Sequence, residues 1–76
     1  MKEGVLFYSS SLDRYDFAYD DEIERYYGGL HCGECFQAWI GGRWEHVSIE
    51  YDHAGQRWYL PQFRNQGLGG LKIRMD

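Results

Sequence analysis

Proline occurs once, and cysteine and methionine twice each, in 76 residues. Two cysteines are too few for a disulfide-built scaffold. With a single proline, the turns must rest mainly on the ten glycines. No apolar run approaches the ~20 residues of a membrane span. The start, Met1-Lys2-Glu3-Gly4, has no apolar stretch behind a basic residue, so no secretory signal is expected. The expected location is the cytoplasm, with both thiols reduced. No ten-residue window carries an apolar stripe of helical period, and no internal repeat, linker or low-complexity tract stands out. A domain of this size hides roughly 60–65% of its unfolded surface, so the core must be small. These facts exclude a multidomain enzyme, a membrane protein and a secreted cystine knot. One domain over residues 1–76 is expected.

Aromatic residues are plentiful: seven Tyr, four Phe and three Trp, 18% of the chain. That richness opposes disorder, which goes with few aromatics and high net charge. The formal net charge is −4. Five net negative charges fall in residues 1–38 and one net positive in 39–76, with acids gathered at Asp13, Asp16, Asp20, Asp21, Glu22 and Glu24. A net acidic chain is a poor default binder of phosphate backbones, so nucleic acid is not the expected partner.

The dominant period is two. Val5-Leu6-Phe7-Tyr8 reads as a strand ending in three serines. Tyr15, Phe17 and Tyr19 alternate with Asp16, which predicts a half-buried strand with the carboxylate outside. Residues 20–25 read as an acidic loop or single turn. Cys35–Ile40 and Arg43–Tyr51 flank Gly41-Gly42, a hairpin signal because both residues of a type I′ turn need positive φ. Phe36, Ala38 and Ile40 take one face there, and Val47, Ile49 and Tyr51 share a face in the return strand. Arg57–Leu60 is stopped by Pro61, and Leu71–Met75 alternates Leu71, Ile73 and Met75 inward. The prediction is an all-β fold with strands at 3–8, 14–19, 35–40, 43–51, 57–60 and 71–75. A small antiparallel SH3-like or OB-like barrel of five to six strands is the economical way to protect faces and edges. A two-layer sheet is the alternative.

Gly29-Leu30-His31-Cys32-Gly33-Glu34, a Gly-turned hairpin with Trp44, Trp58-Tyr59-Leu60 and Gly70-Leu71-Lys72-Ile73-Arg74 form a pattern over nearly the whole chain. It resembles a family of short proteins of unknown function from Gram-positive bacteria and their mobile elements. The resemblance implies a small β-rich cytoplasmic domain and supplies no activity. Its constant part is His31-Cys32-Gly33, and Cys35 is not constant. Trp58-Tyr59-Leu60 also resembles one strand of the WYL domains, which are SH3-like barrels.

Cys32-Gly33-Glu34-Cys35 has the spacing at which two thiolates share a tetrahedral metal. A structural zinc would need two more ligands, with His46 and His53 as candidates. A lone pair of this kind is more often a turn before a strand, so no metal and no cofactor is expected. His31, Cys32 and Gly33 are expected to be structural, the imidazole tying the loop to backbone carbonyls. No nucleophile motif accompanies His31 or the serines, and a domain this small promises little cleft volume, so no enzyme activity is expected. The aromatics exceed what a tiny core can bury. Trp39, Trp44, Tyr26 and Tyr27 are candidate contacts for a protein partner, because Trp and Tyr are enriched in binding hot spots. The bland use of such rings is to cover barrel ends. A nucleic-acid surface built from Arg57, Arg74 and Lys72 with Trp39 and Trp44 is the alternative. The acidic run 13–24 is commonly a solvated loop, and its sharper reading is a phosphate-mimicking surface. An exposed edge strand could also pair two copies of the chain.

Overall fold

In the computed structural model, residues 2–19 and 26–75 are described. Seven strands, all paired antiparallel, account for the regular structure among them: β1 Lys2–Ser9, β2 Arg14–Tyr19, β3 Cys35–Ile40, β4 Arg43–Ser48, β5 Glu50–Asp52, β6 Arg57–Tyr59 and β7 Lys72–Met75. The all-β prediction therefore holds. Residues 20–25, read as an acidic loop, lie outside the described residues.

Five strands form one sheet in the order β2-β1-β7-β3-β4, and β5 and β6 form a second. The two sheets are not joined by ladder hydrogen bonds into a closed barrel. The strand count exceeds the predicted five to six because the run 43–51 breaks at Ile49. That residue donates its N–H to the Glu34 carbonyl at 3.1 Å and accepts from the Gly33 N–H at 2.8 Å. The loop before β3 thus takes the hydrogen bonds a continuous strand would have given elsewhere. The chain crosses there from the large sheet to the small one.

Alternation decides which face is buried. Leu6 pairs with Phe17, Ile73 with Ala38 and Gly4, and Phe36 with Val47, so their side chains share one face of the large sheet. These residues, except the side-chain-less Gly4, join Leu30, Ile49, Leu60, Leu68 and Leu71 in one buried cluster. Tyr15, Tyr19, Ile40, Trp58, Phe63 and Met75 pack around it. Gly4 is fixed by proximity: a Cβ there would lie 2.8 Å from the Ala18 carbonyl carbon and 2.9 Å from Phe17 Cδ2. The molecule measures 36 × 31 × 18 Å. One thin dimension leaves room for the sheet and a single covering layer, since stacked layers lie about 10 Å apart.

Asp16 keeps its predicted face but is buried there. It is 3% exposed, on the face of β2 opposite Phe17. Its Oδ1 accepts the N–H groups of Phe17 at 2.8 Å and of Gly28 and Gly29 at 2.9 Å each. Gly28 and Gly29 have φ of 110° and 102°, a conformation open to glycine, which lets both N–H groups converge on one oxygen. With Leu30 N–H to the Tyr15 carbonyl at 2.8 Å, this segment covers the outer edge of β2.

Candidate functional site

Two surfaces gather the side chains that could recognise a ligand. The first is the outer face of β7, β3 and β4. Gly41 and Gly42, with φ of 63° and 82°, close the predicted two-residue hairpin. In such a hairpin the pair flanking the loop is hydrogen-bonded, so Trp39 and Trp44 form the next, non-hydrogen-bonded pair, where side chains approach most closely. Their rings meet edge to face at 5.3 Å. Arg74 of β7 lies over Trp44, its guanidinium carbon 4.3 Å from the ring centre, and donates from Nε to Gln37 Oε1. Gln37 continues to His46 across the β3–β4 ladder at 3.2 Å. Trp39 is 44% exposed. The same hairpin geometry turns the backbone N–H and C=O of Trp44 and His46 outward, along an edge that pairs with no strand among the described residues. Only the end of β4 is capped, by Gln62 Oε1 accepting from the Ser48 N–H at 3.1 Å.

The second surface is a cleft of about 660 Å³ between two hairpins. The expectation of little cleft volume is corrected here. The hairpins β1–β2 and β5–β6 are built alike. Each has a four-residue loop, 10–13 and 53–56, whose last residue is left-handed without being glycine: Asp13 at φ 55° and Gln56 at φ 53°. The residue before each loop braces it, Ser9 Oγ accepting from the Leu12 N–H at 3.3 Å and Asp52 Oδ1 from the Ala54 N–H at 3.1 Å. Each return strand then opens with an arginine, Arg14 and Arg57. The next position is a cross-strand aromatic pair: Tyr8 with Tyr15 at 5.4 Å, Tyr51 with Trp58 at 5.1 Å. The shared pattern is Tyr, five residues, Arg, aromatic.

The two arginines differ in their contacts. Arg14 donates from Nε to the Leu12 carbonyl at 3.3 Å and from Nη1 to the Leu30 carbonyl at 3.5 Å. Arg57 is exposed and has no hydrogen-bond or ion-pair partner among the described residues. The Asp13 carboxylate accepts from the Tyr8 hydroxyl. That hydrogen bond, with some desolvation and the negative charge beside it, raises the Tyr8 pKa from its ordinary 10.0 and keeps the hydroxyl a donor.

The remaining predicted residues fall apart from one another. Arg57 and Arg74 lie in different sheets, so the basic set Arg57, Arg74 and Lys72 does not form one patch with the tryptophans. Lys72 shares the outer face and reaches Glu3 at 4.0 Å. Tyr26 packs edge-on against Phe7, at the other end of that sheet from Trp39. Tyr27 stacks on Phe17, and the neighbouring Glu34 carboxylate raises its pKa above 10.0. The His31 ring does not reach a backbone carbonyl. Its Nδ1 lies 3.2 Å from Glu34 Oε1, while its own carbonyl accepts the Glu34 N–H at 3.1 Å. Cys32 and His53 line the cleft, whereas Cys35 and His46 lie on the outer sheet face. The four candidate metal ligands are thus split between two surfaces, and no group of three or more metal-ligating side chains occurs among the described residues.

Residues 4–75 match the family described as a domain of unknown function, DUF5348. A crystal structure of a protein from Ruminococcus gnavus, determined as a target of the Northeast Structural Genomics Consortium, superposes with a TM-score of 0.84. It is 42% identical, and the alignment covers 97% of this chain and 100% of that one. No curated protein matches. The chain belongs to this family of small, uncharacterised β-domains. No helix among the described residues is long and apolar enough to cross a membrane.

Proposed function

We propose that the chain is a noncatalytic protein-interaction module that takes an extended peptide along β4. The observation that carries this reading is the unpaired β4 edge beside the Trp39–Trp44 pair, of which Trp39 is exposed. An added strand gains main-chain hydrogen bonds from the outward groups of Trp44 and His46, while the rings select side chains. Arg74 adds a positive charge beside Trp44 for an acidic side chain of the peptide. The cytoplasmic, mobile-element setting implied by the sequence resemblance belongs to this reading, and gene neighbourhood tests it.

The nucleic-acid alternative draws on Lys72 and Arg74 alone, because Arg57 stands elsewhere. The zinc-stapled alternative has its ligands on two surfaces.

The test is panning of a phage-displayed random peptide library on the wild-type chain, Trp39→Ala and His46→Pro. Proline at position 46 removes an N–H that faces outward and leaves the β3 ladder whole. Enrichment of one motif on the wild type, lost in both variants at unchanged urea midpoints, is expected. No enrichment, or steeply salt-dependent quenching of tryptophan by single-stranded oligonucleotides, would sink the proposal.

A further inference from the structure

The cleft between the two matched hairpins is separate from the β4 edge and lies in a different part of the molecule. Its walls repeat one device: an aromatic pair, an arginine at the strand start and a left-handed residue just before it. Non-glycine residues at positive φ are uncommon, and two at the same place in two facing loops mark a shape held for a purpose. The charges of the lining decide the ligand's sign. Arg14 and Arg57 bring two positive charges; Asp13 brings one negative charge and is occupied by the Tyr8 hydroxyl. Arg57 has no partner to give up among the described residues. Guanidinium forks match phosphate oxygens, and aromatic walls favour a flat ring system. Tyr51 meets both Trp58 and His53 edge to face, at 60° and 78°, so the three rings form one aromatic wall of the cleft. The volume suits a mononucleotide, within the range of small-molecule sites.

We infer that this cleft binds a mononucleotide, its base against Tyr51 and Trp58 and its phosphate between Arg14 and Arg57.

The two cysteines provide the readout, since Cys32 lines the cleft and Cys35 lies on the outer face. The full chain is alkylated with iodoacetamide in the presence of AMP, GMP or UMP, and each thiol is followed by mass spectrometry. Adenosine, ribose 5-phosphate and inorganic phosphate are the controls. At least one nucleotide should slow Cys32 alkylation tenfold with a midpoint below about 1 mM, and leave Cys35 unchanged. Adenosine and ribose 5-phosphate, each lacking one half of the ligand, should require at least tenfold more. Arg57→Ala, which alters an exposed side chain, should raise the nucleotide midpoint tenfold or more at an unchanged urea midpoint. Trp39→Ala should leave it alone. Absence of protection by all three nucleotides overturns the inference. Equal protection by inorganic phosphate, or protection indifferent to Arg57→Ala, overturns it as well. Protection of Cys35 together with Cys32, abolished by Trp39→Ala, would assign nucleotide binding to the outer face instead.

Discussion

Asp16 carries more of the structure than its size suggests. One carboxylate oxygen satisfies three backbone N–H groups, two of them on buried residues, and so binds β2 to the segment covering its edge. A buried donor left without a partner costs about 1–3 kcal/mol. Asp16→Ala should therefore destabilise the chain by about 3 kcal/mol in urea unfolding, and Asp16→Asn, which keeps an amide oxygen, by roughly half as much. A loss below about 1 kcal/mol for the alanine variant would show that water replaces the carboxylate. Nothing in the sequence marks this residue as buried. Alternation with Tyr15, Phe17 and Tyr19 assigns it to the outer face, which is correct. What buries it is a pair of glycines 12 and 13 positions onward, whose relevance lies in their φ angles.

Among the elements, the hairpins separate what patterning reveals from what it hides. Gly41-Gly42 announces β3–β4 with its register, because only a few residue types fit a type I′ turn. The alternating runs give β2 and β7 for the same local reason. The break between β4 and β5 is silent, since Val47, Ile49 and Tyr51 keep their alternation through it while the cause lies in the backbone of Gly33 and Glu34. The cleft is equally silent: its walls come from residues 8–15 and 51–58, which only the fold brings together. The kinship of those hairpins is hidden because their loops, Ser-Ser-Leu-Asp and His-Ala-Gly-Gln, share geometry and not composition. That geometry has a testable cost. A left-handed conformation costs a non-glycine residue about 1–2 kcal/mol, and glycine returns part of this as unfolded-chain entropy. Gln56→Gly should thus stabilise the chain by about 0.5–1 kcal/mol in the denaturant midpoint. Asp13→Gly should gain less, because it also removes the acceptor for Tyr8. A destabilised Gln56→Gly would mean that the glutamine side chain, and not the turn, holds the loop.

At the scale of the molecule, one apolar cluster under a single sheet supplies the cohesion, with no metal needed to explain it. EDTA should leave the melting temperature unchanged. One tightly held zinc per chain, lost together with the fold in Cys32→Ser, would require the two surfaces that separate the cysteine and histidine ligands to rearrange. The sheet order has a further consequence for the way the chain is made. β7, the last of the seven strands in chain order, sits between β1 and β3, and it alone joins the β1–β2 hairpin to the β3–β4 hairpin within the large sheet. A nascent chain that has not yet released residues 72–75 holds two hairpins with no ladder between them. Leu6, Phe36 and Ala38 then lack the Ile73 side chain that fills the middle of their shared face. Synthesis thus leaves the large sheet unfinished until residues 72–75 are free to pair, and this central strand closes it in one non-local step of the kind that folds slowly and draws chaperones.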